Sequence, residues 1–438
     1  MRRVLAYLFG GIILVLLLGA CNAKPVIDGV ASDKLRLVWN DDPTTTMTLA
    51  WNQRWGEGVL YYGEDPKHLT PQRPQRQVHY RGMNNTFARL RNLLPNHRYY
   101  FQVCTQGQCT PLSYFKTAPV GVEPFCFVAG GDSRSIPEGR IRGNRLVAKI
   151  RPLFVLHGGD FTKHGDAHEW QRWLDEWQMT RSDDGQMYPL VITHGNHENR
   201  DHLMLNRLFD VPNPWGYFQL NFNLLSLYVL NTELEPNVGW FDLRAKGEHP
   251  NEIYQRWDEQ THWLDEALRI DPHRWKVLSY HRPLRPHRAS KPEGRLRYLD
   301  WAPLLYRYGV KLAIESDSHL VKYTQPLKPD LLGEEGFVVD KQGTTFIGEG
   351  SWGAPTRAND DDKSWTLASG SFWQFKVIGV SASSLSIYTV KFGDEVTPYD
   401  PKEVESLSAM DRQANPLRLP AHLDLWRIPN RGTLLELH

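Results

Sequence analysis

From residue 33 to residue 118 the chain alternates apolar and polar positions in short runs. Leu35-Arg36-Leu37-Val38-Trp39 and Met47-Thr48-Leu49-Ala50-Trp51 show the pattern, and residues 59–63, 99–103 and 113–117 repeat it. Short period-two runs separated by Gly, Pro, Asn and Asp predict an all-β sandwich. At Phe125 the pattern changes. Apolar, β-rich runs at 153–157, 190–193, 275–280 and 310–314 are now separated by helical stretches such as 169–178 and 254–270. Strands alternating with helices predict an α/β domain. Late strands are expected at 372–378 and 384–391, and the proline-punctuated tail beyond Gly393 has no role legible in sequence. Trp170, Trp173 and Trp177 share one face of the 169–178 helix. Such a stripe can bind sugars, but it more commonly packs a core, and core packing is our reading.

The first twenty residues follow a different rule. Arg2 and Arg3 precede an unbroken apolar stretch that ends Leu18-Gly19-Ala20-Cys21. A basic start, an apolar run and small residues before a break mark an export signal. The cysteine in that place resembles a bacterial lipobox, which implies cleavage before Cys21, lipidation of its thiol and, with Asn22 following, an outer-membrane destination. A plain signal peptide and an uncleaved anchor are the alternatives. Export makes Cys104 and Cys109 candidates for a hairpin disulfide across a turn-like segment, with two free thiols as the other option. Cys126, inside an apolar run, reads as buried.

At 438 residues the chain is long enough for two domains with their own cores. Its 51 Lys and Arg against 50 Asp and Glu leave a formal charge of +1. A protein built to grip nucleic-acid backbones carries a basic excess, so that class is excluded, while a nucleotide substrate stays open. We divide the chain into an export segment at 1–20, a β domain at 21–119, an α/β domain at 120–395 and a tail at 396–438.

Five short motifs lie at or just beyond the ends of strand-like runs in the α/β part. They are Gly131-Asp132-Ser133-Arg134, Gly159-Asp160-Phe161-Thr162-Lys163-His164-Gly165, Gly195-Asn196-His197-Glu198, Tyr280-His281-Arg282-Pro283 and Ser316-Asp317-Ser318-His319. Each alone is weak, because Gly-Asp and Asn-His commonly form turns and caps. In open α/β sheets, however, sites gather outside the carboxyl ends of strands. Five such loops would bring Asp, Asp, Asn, His, Asp and His together, a mixed oxygen and imidazole set suited to Fe, Mn or Zn. Two ions about 3.5–4 Å apart, sharing a carboxylate, can clamp both oxygens of an in-line displacement at phosphorus.

In these motifs the chain resembles the calcineurin-like metallophosphoesterases and, with the β domain in front, bacterial relatives of the purple acid phosphatases. The resemblance implies an α/β/β/α sandwich preceded by a fibronectin type III-like sandwich, with two metal ions between the loops. It also implies that Asp132 and His319 ligate the first ion, that Asp160 bridges, and that Asn196 and His281 ligate the second. His197 is then the general acid, with Glu198 as an orienting partner.

The chain departs from the family's pattern at three places. Asp317 stands in a usual imidazole position, Lys163 where purple enzymes have a tyrosine, and Arg134 where relatives have a histidine. The missing tyrosinate removes the expectation of purple colour and of a dedicated ferric site. Arg134 can hold a substrate phosphate or make a structural ion pair; Arg357 is a weaker candidate for the phosphate. His164 either supplies a further ligand or lies on the surface, and His194, His202 and His287 match no position. The expected activity is hydrolysis of phosphate monoesters of small molecules by metal-activated hydroxide. A phosphodiesterase acting on nucleotides or lipid head groups is the nearest alternative. A binding lipoprotein with a decayed site is the alternative from another class.

Overall fold

The computed structural model describes residues 30–198, 201, 203–236, 250–394, 396–397 and 399–438. The export segment read in residues 1–20, Cys21 and His202 lie outside the described residues. Among the described residues no helix is long and apolar enough to cross a membrane.

Two sheets stack face to face. The first has ten strands, in the order Leu434–Leu437, Leu385–Lys391, Gln374–Val380, Phe125–Gly130, Val155–His157, Pro189–Ile192, Ser32–Val38, Met47–Gln53, Met83–Leu90 and Arg76–Tyr80. The second has seven, in the order Phe218–Asn221, Leu225–Val229, Trp275–Ser279, Leu312–Ile314, Thr345–Gly348, Val321–Thr324 and Thr366–Gly370. Side-chain alternation in the second sheet shows why two layers pack on it. Leu227, Val229, Val277, Leu312 and Ile314 point into the core shared with the first sheet. Their neighbours Tyr228, Leu230, Leu278, Tyr280 and Ala313 point the other way, onto Trp257, Leu264 and Leu268 of helix Pro250–Ile270 and Trp301 of helix Arg295–Arg307. Helices Pro137–Ile150 and Ala167–Trp177 contribute to the core on the other side. The result is the α/β/β/α sandwich.

Trp170, Trp173 and Trp177 are buried, with Trp173 and Trp177 stacked at 5.4 Å, so the aromatic stripe is core. Its helix starts at Asp166, whose side chain caps the Glu169 N–H. Cys104 and Cys109 form a disulfide across the hairpin, and Cys126 is a buried free thiol.

The amino-terminal part is a two-sheet β sandwich. Its strands Val59–Gly63, Thr70–Gln72, Arg98–Thr105, Gln108–Cys109 and Ser113–Lys116 make a separate sheet, while its other strands belong to the large one. Ser32–Val38 runs parallel to Pro189–Ile192, with Leu37 opposite Pro189. The boundary expected at 119/120 therefore falls between segments that share a continuous sheet. The tail beyond Gly393 also joins that sheet, because Leu434–Leu437 pairs with Leu385–Lys391 at its edge.

Charged groups bolt the two parts together. Arg36 is fully buried and donates to Leu208 O, Lys34 O and Asn85 Oδ1, and its burial lowers its pKa to about 9. Asp210, at the end of helix Met204–Phe209, accepts from Arg76 and Arg89 of the β domain at 2.7 Å and from Asn40 at 3.1 Å. With Asp210 only 3% exposed, its removal strands two guanidinium groups in a partly dry seam. Asp210→Ala should lower unfolding stability by about 3 kcal/mol, read from the denaturant midpoint, whereas a change below about 1 kcal/mol would show the seam to be wet.

Two buried histidines set an acid limit. His157 stacks on Phe161 at 3.9 Å, and His287 packs edge-on against Trp365 and meets Thr366 Oγ1 at 2.7 Å. Burial, reinforced by His281, lowers the pKa of His157 to about 3; burial and Lys322 lower that of His287 to about 2. Both are neutral in the folded state, whereas the unfolded chain takes up protons near pH 6.5. Their contribution is complete above pH 6.5 and is lost as the pH falls below it, at about 1.4 kcal/mol per pH unit for each histidine. Stability measured from pH 6 to pH 4.5 should fall accordingly, and His287→Gln should flatten the slope by one histidine's share.

Candidate metal centre

The five motif loops all leave the carboxyl ends of parallel strands. Phe125–Gly130, Val155–His157 and Pro189–Ile192 lead to Asp132, Asp160 and Asn196, while Trp275–Ser279 and Leu312–Ile314 lead to His281 and Asp317. The site thus lies at the same end of both sheets, between them. The loops turn sharply. Asp132, Asp160, Asp317 and His319 all adopt left-handed backbone angles, with φ of 56°, 55°, 71° and 58°. Non-glycine residues occupy that region at a cost of about 1–3 kcal/mol each, and only where surrounding structure holds them there.

Hydrogen bonds supply that hold. The buried Glu198 carboxylate accepts the backbone N–H of Asp160 at 2.8 Å, of Phe161 at 3.0 Å and of Gly195 at 3.0 Å. Glu198 therefore orients the loops; among the described residues it forms no hydrogen bond with the His197 ring, whose Nδ1 lies 2.5 Å from Lys163 O. Burial and the neighbouring Asp160 charge push Glu198 up to about 8. Ser133, the third residue of the first motif, receives the Trp173 indole N–H at 2.9 Å and meets His157 Nε2 at 2.9 Å, so the tryptophan helix also steadies this loop.

Two buried donor sets result, each with its ligand atoms within 4.8 Å of one another. One is Asp132, Asp160 and His319; the other is Asp160, His281 and Asp317. Asp160 belongs to both. Asn196 Oδ1 joins the second set, 3.1 Å from His281 Nε2. Both histidines present Nε2 to the site because their Nδ1 atoms bond to backbone carbonyls, His281 to Gly158 O at 2.7 Å and His319 to Pro355 O at 2.8 Å. His319 Nε2 lies 3.2 Å from Asp132 Oδ1, which is buried without a hydrogen-bond partner. Gly350 closes this wall. Its φ is +85°, and a Cβ there would sit 1.8 Å from Asp132 Oδ2.

The charges reinforce the picture. Burial alone would lower the pKa of His281, but Asp160, with Asp132 and Asp317 behind it, raises it to about 10. A proton on Nε2 would sit where Asp160 Oδ1 and Asn196 Oδ1 converge. Burial works against the Asp160 charge, yet His281 and His197 hold its pKa below the ordinary carboxylate range. An unpartnered buried carboxylate oxygen, converging oxygen and imidazole atoms, and a glycine that leaves room beside them fit divalent metal ions.

The departures from the family's pattern can now be located. Arg134 Nε lies 3.3 Å from Asp160 Oδ2 and its Nη2 lies 3.2 Å from His319 Nε2, so its guanidinium makes the ion pair at the rim of the first set. Its Nη1 touches only Ser135 Oγ, on the exposed side. Asp317 lies in the second set and is also gripped by Lys291, which sequence reading missed. Burial opposes the Asp317 charge, and Lys291 followed by His281 lowers its pKa. Lys291 follows Arg282, Arg285, His287 and Arg288 in one loop, and nothing in that basic run marks which residue turns inward. Arg357 donates to Asp317 O and not into the site. His164 is exposed and belongs to neither set; His194 and His287 are buried outside both.

Residues 141–321 match the calcineurin-like phosphoesterase family, and residues 32–117 match the purple acid phosphatase N-terminal domain. Two uncharacterized proteins from strains of Mycobacterium tuberculosis are each 24% identical over 273 residues, covering 55% of this chain and 51% of theirs. The chain thus spans about half the length of the curated relatives it matches. Among solved structures, a purple acid phosphatase from yellow lupin (Lupinus luteus) seeds aligns with a TM-score of 0.66 at 16% identity, over 82% of this chain and 72% of that one. PhoD aligns with a TM-score of 0.61 at 13% identity, over 87% of this chain and 93% of its own. At these identities the likeness is one of fold. The chain thus matches a purple acid phosphatase N-terminal domain and then a calcineurin-like phosphoesterase domain, in that order, and its fold is the metallophosphoesterase fold.

Proposed function

We propose that the protein is a metal-dependent phosphoester hydrolase acting on phosphate monoesters of small molecules. The observation that carries this reading is the sharing of Asp160 by two buried donor sets at the mouth of the sandwich. Asp132, Asp160 and His319 would hold one ion, and Asp160, Asn196, His281 and Asp317 the other. Ions bound there polarise a phosphoryl group and make water a competent nucleophile near neutral pH. His197 protonates the leaving oxygen. Its ring is pinned through Nδ1 on Lys163 O, its Nε2 faces the site 3.6 Å from Asp160 Oδ2, and its side chain is 24% exposed, open to an incoming ester. Arg134 takes phosphate oxygens through the guanidinium edge that points to solvent. Lys291, next to Asp317, adds a second positive charge.

We also place the protein in the cell envelope, exported and lipid-anchored through Cys21, facing the periplasm or the cell surface. The basic, apolar and Leu18-Gly19-Ala20-Cys21 sequence supports this, as does the Cys104–Cys109 disulfide, a bond suited to an oxidising compartment.

Hydrolysis of a chromogenic phosphomonoester should be abolished by chelation and restored by Mn, Fe or Zn, with a matching diester turned over more slowly. Faster diester turnover would move the assignment to a phosphodiesterase. Asp160→Ala should lose metal from both sets together with turnover, by on the order of 10³-fold or more. His197→Ala should keep the metal and lose about 10²–10⁴-fold, most with poor leaving groups; full activity in either variant would remove the assigned role. In cells, radiolabelled palmitate should enter the protein and be lost in Cys21→Ala, and equal labelling of both would overturn the anchor.

A further inference from the structure

At the opposite end of the sheet from the metal centre lies a cavity of about 350 Å³. Strand Phe125–Gly130 connects the two, starting at the cavity wall and ending one residue before Gly131-Asp132, a span of about 20 Å. The cavity is lined by strands Arg98–Thr105 and Ser113–Lys116 of the β domain, by the 119–124 connection and the start of strand Phe125–Gly130, by residues 151–153 and Gln186, and by the tail around Arg412.

Its charge is one-sided. Arg98, Lys116, Arg151 and Arg412 line it with Glu123, and of these cations Arg151 is already paired with Asp184 at 2.7 Å. Arg98 and Lys116 stand directly opposite each other across an antiparallel ladder, and like charges in that position are destabilising. Burial depresses the Lys116 ammonium; Glu123 opposes that effect and Arg98 adds to it. Among the described residues, Arg98, Lys116 and Arg412 make no ion pair with a carboxylate within 4.0 Å. Arg98 lies over the Tyr114 ring at 4.4 Å, which fixes its guanidinium against the wall. Arg412 spends two donors on Pro416 O and Ile150 O. The remaining wall is apolar, with Phe125 and Leu153 prominent in it. A cross-strand pair of like charges, cations without a carboxylate partner at Arg98, Lys116 and Arg412, and an apolar wall in one cavity are what an absent anion with an organic body would balance.

We propose that this cavity is a second, non-catalytic site for a small organic dianion. Its phosphoryl or dicarboxylate head bridges Arg98 and Lys116 to Arg412, and its apolar body lies on Phe125 and Leu153. The occupant ties the carboxyl-terminal tail to the β domain. This assignment is independent of the activity at the metal centre.

Calorimetric titration of the intact protein with phenylphosphonate, before and after chelation, tests it. A binding event that survives chelation is expected. It should weaken at least tenfold in Arg98→Gln and Lys116→Met and stay unchanged in Lys341→Met, an exposed lysine elsewhere. Lys116→Met should also raise the melting temperature of the anion-free protein, because it removes the like-charge contact and keeps the aliphatic stem; this separates lost binding from misfolding. Phthalate in place of phenylphosphonate tells a dicarboxylate head from a phosphoryl head. Loss of all binding on chelation, or equal affinity in Lys116→Met, would overturn the site. Inorganic phosphate binding as tightly as phenylphosphonate would overturn the organic body.

Discussion

The site depends on one buried carboxylate that faces away from the chemistry. Glu198 takes three backbone N–H groups from two different loops and so fixes Asp160 and the Asn196-His197 pair in one frame. Because Asp160 is shared by both donor sets, an error in its position spoils both at once. The frame closes on itself, since Asp160 Oδ1 accepts the His197 backbone N–H at 2.9 Å. It tolerates only glycine at 195, where a Cβ would fall 2.4 Å from Asp160 N and 2.5 Å from its Oδ1. Left-handed backbone at four functional positions is affordable because of such over-determination.

The β domain extends this frame. Its first strand continues the ten-stranded sheet that carries three of the motif loops, and Arg36, Arg76 and Arg89 reach helix Met204–Phe209 and the Asp210 that ends it. That helix begins seven residues after His197, so the loop carrying Asn196 and His197 is anchored on one side by Glu198 and on the other by guanidinium groups of the β domain. A sandwich attached this way acts as a scaffold for the site, whatever else its free surface binds. The tail does the same at the far edge, where its final strand covers Leu385–Lys391.

The motif loops were legible in sequence because chemistry there is concentrated at the ends of apolar runs, and parallel strands gather those ends by rule. The tryptophan stripe was legible because its spacing is helical and its length suits a core face. Met83–Leu90 escaped notice because its apolar positions are interrupted by half-buried Asn84 and buried Asn85 and Thr86, which meet polar partners of the β domain. Leu225–Val229 was missed because both of its faces are buried, so period-two alternation of polarity is absent. Helix Pro137–Ile150 was missed because buried Arg140 and Asn144 break its apolar face, each satisfied by Glu176. Gly350 and Lys291 could not be found at all from sequence: each acts through a three-dimensional approach to a carboxylate more than twenty-five residues away.

Two of the three departures from the family's pattern, Arg134 and Asp317, make sense as a pair of charges. An arginine where a neutral imidazole is usual adds one positive charge, and an aspartate in another imidazole position removes one, so the two together leave the net charge of the site unchanged. Both lie in contact with the donor sets, Arg134 against Asp160 and His319, and Asp317 beside His281 at 3.8 Å. Lys291 then adds a positive charge against Asp317. Buried carboxylates must be paired or must coordinate ions. Here Asp160 and Asp317 are paired with Arg134 and Lys291, and they also belong to donor sets that could hold ions. A site decaying toward a mere binding surface has no reason to keep such compensation. The same cations offset the charge of the carboxylates they touch, Arg134 that of Asp160 and Lys291 that of Asp317.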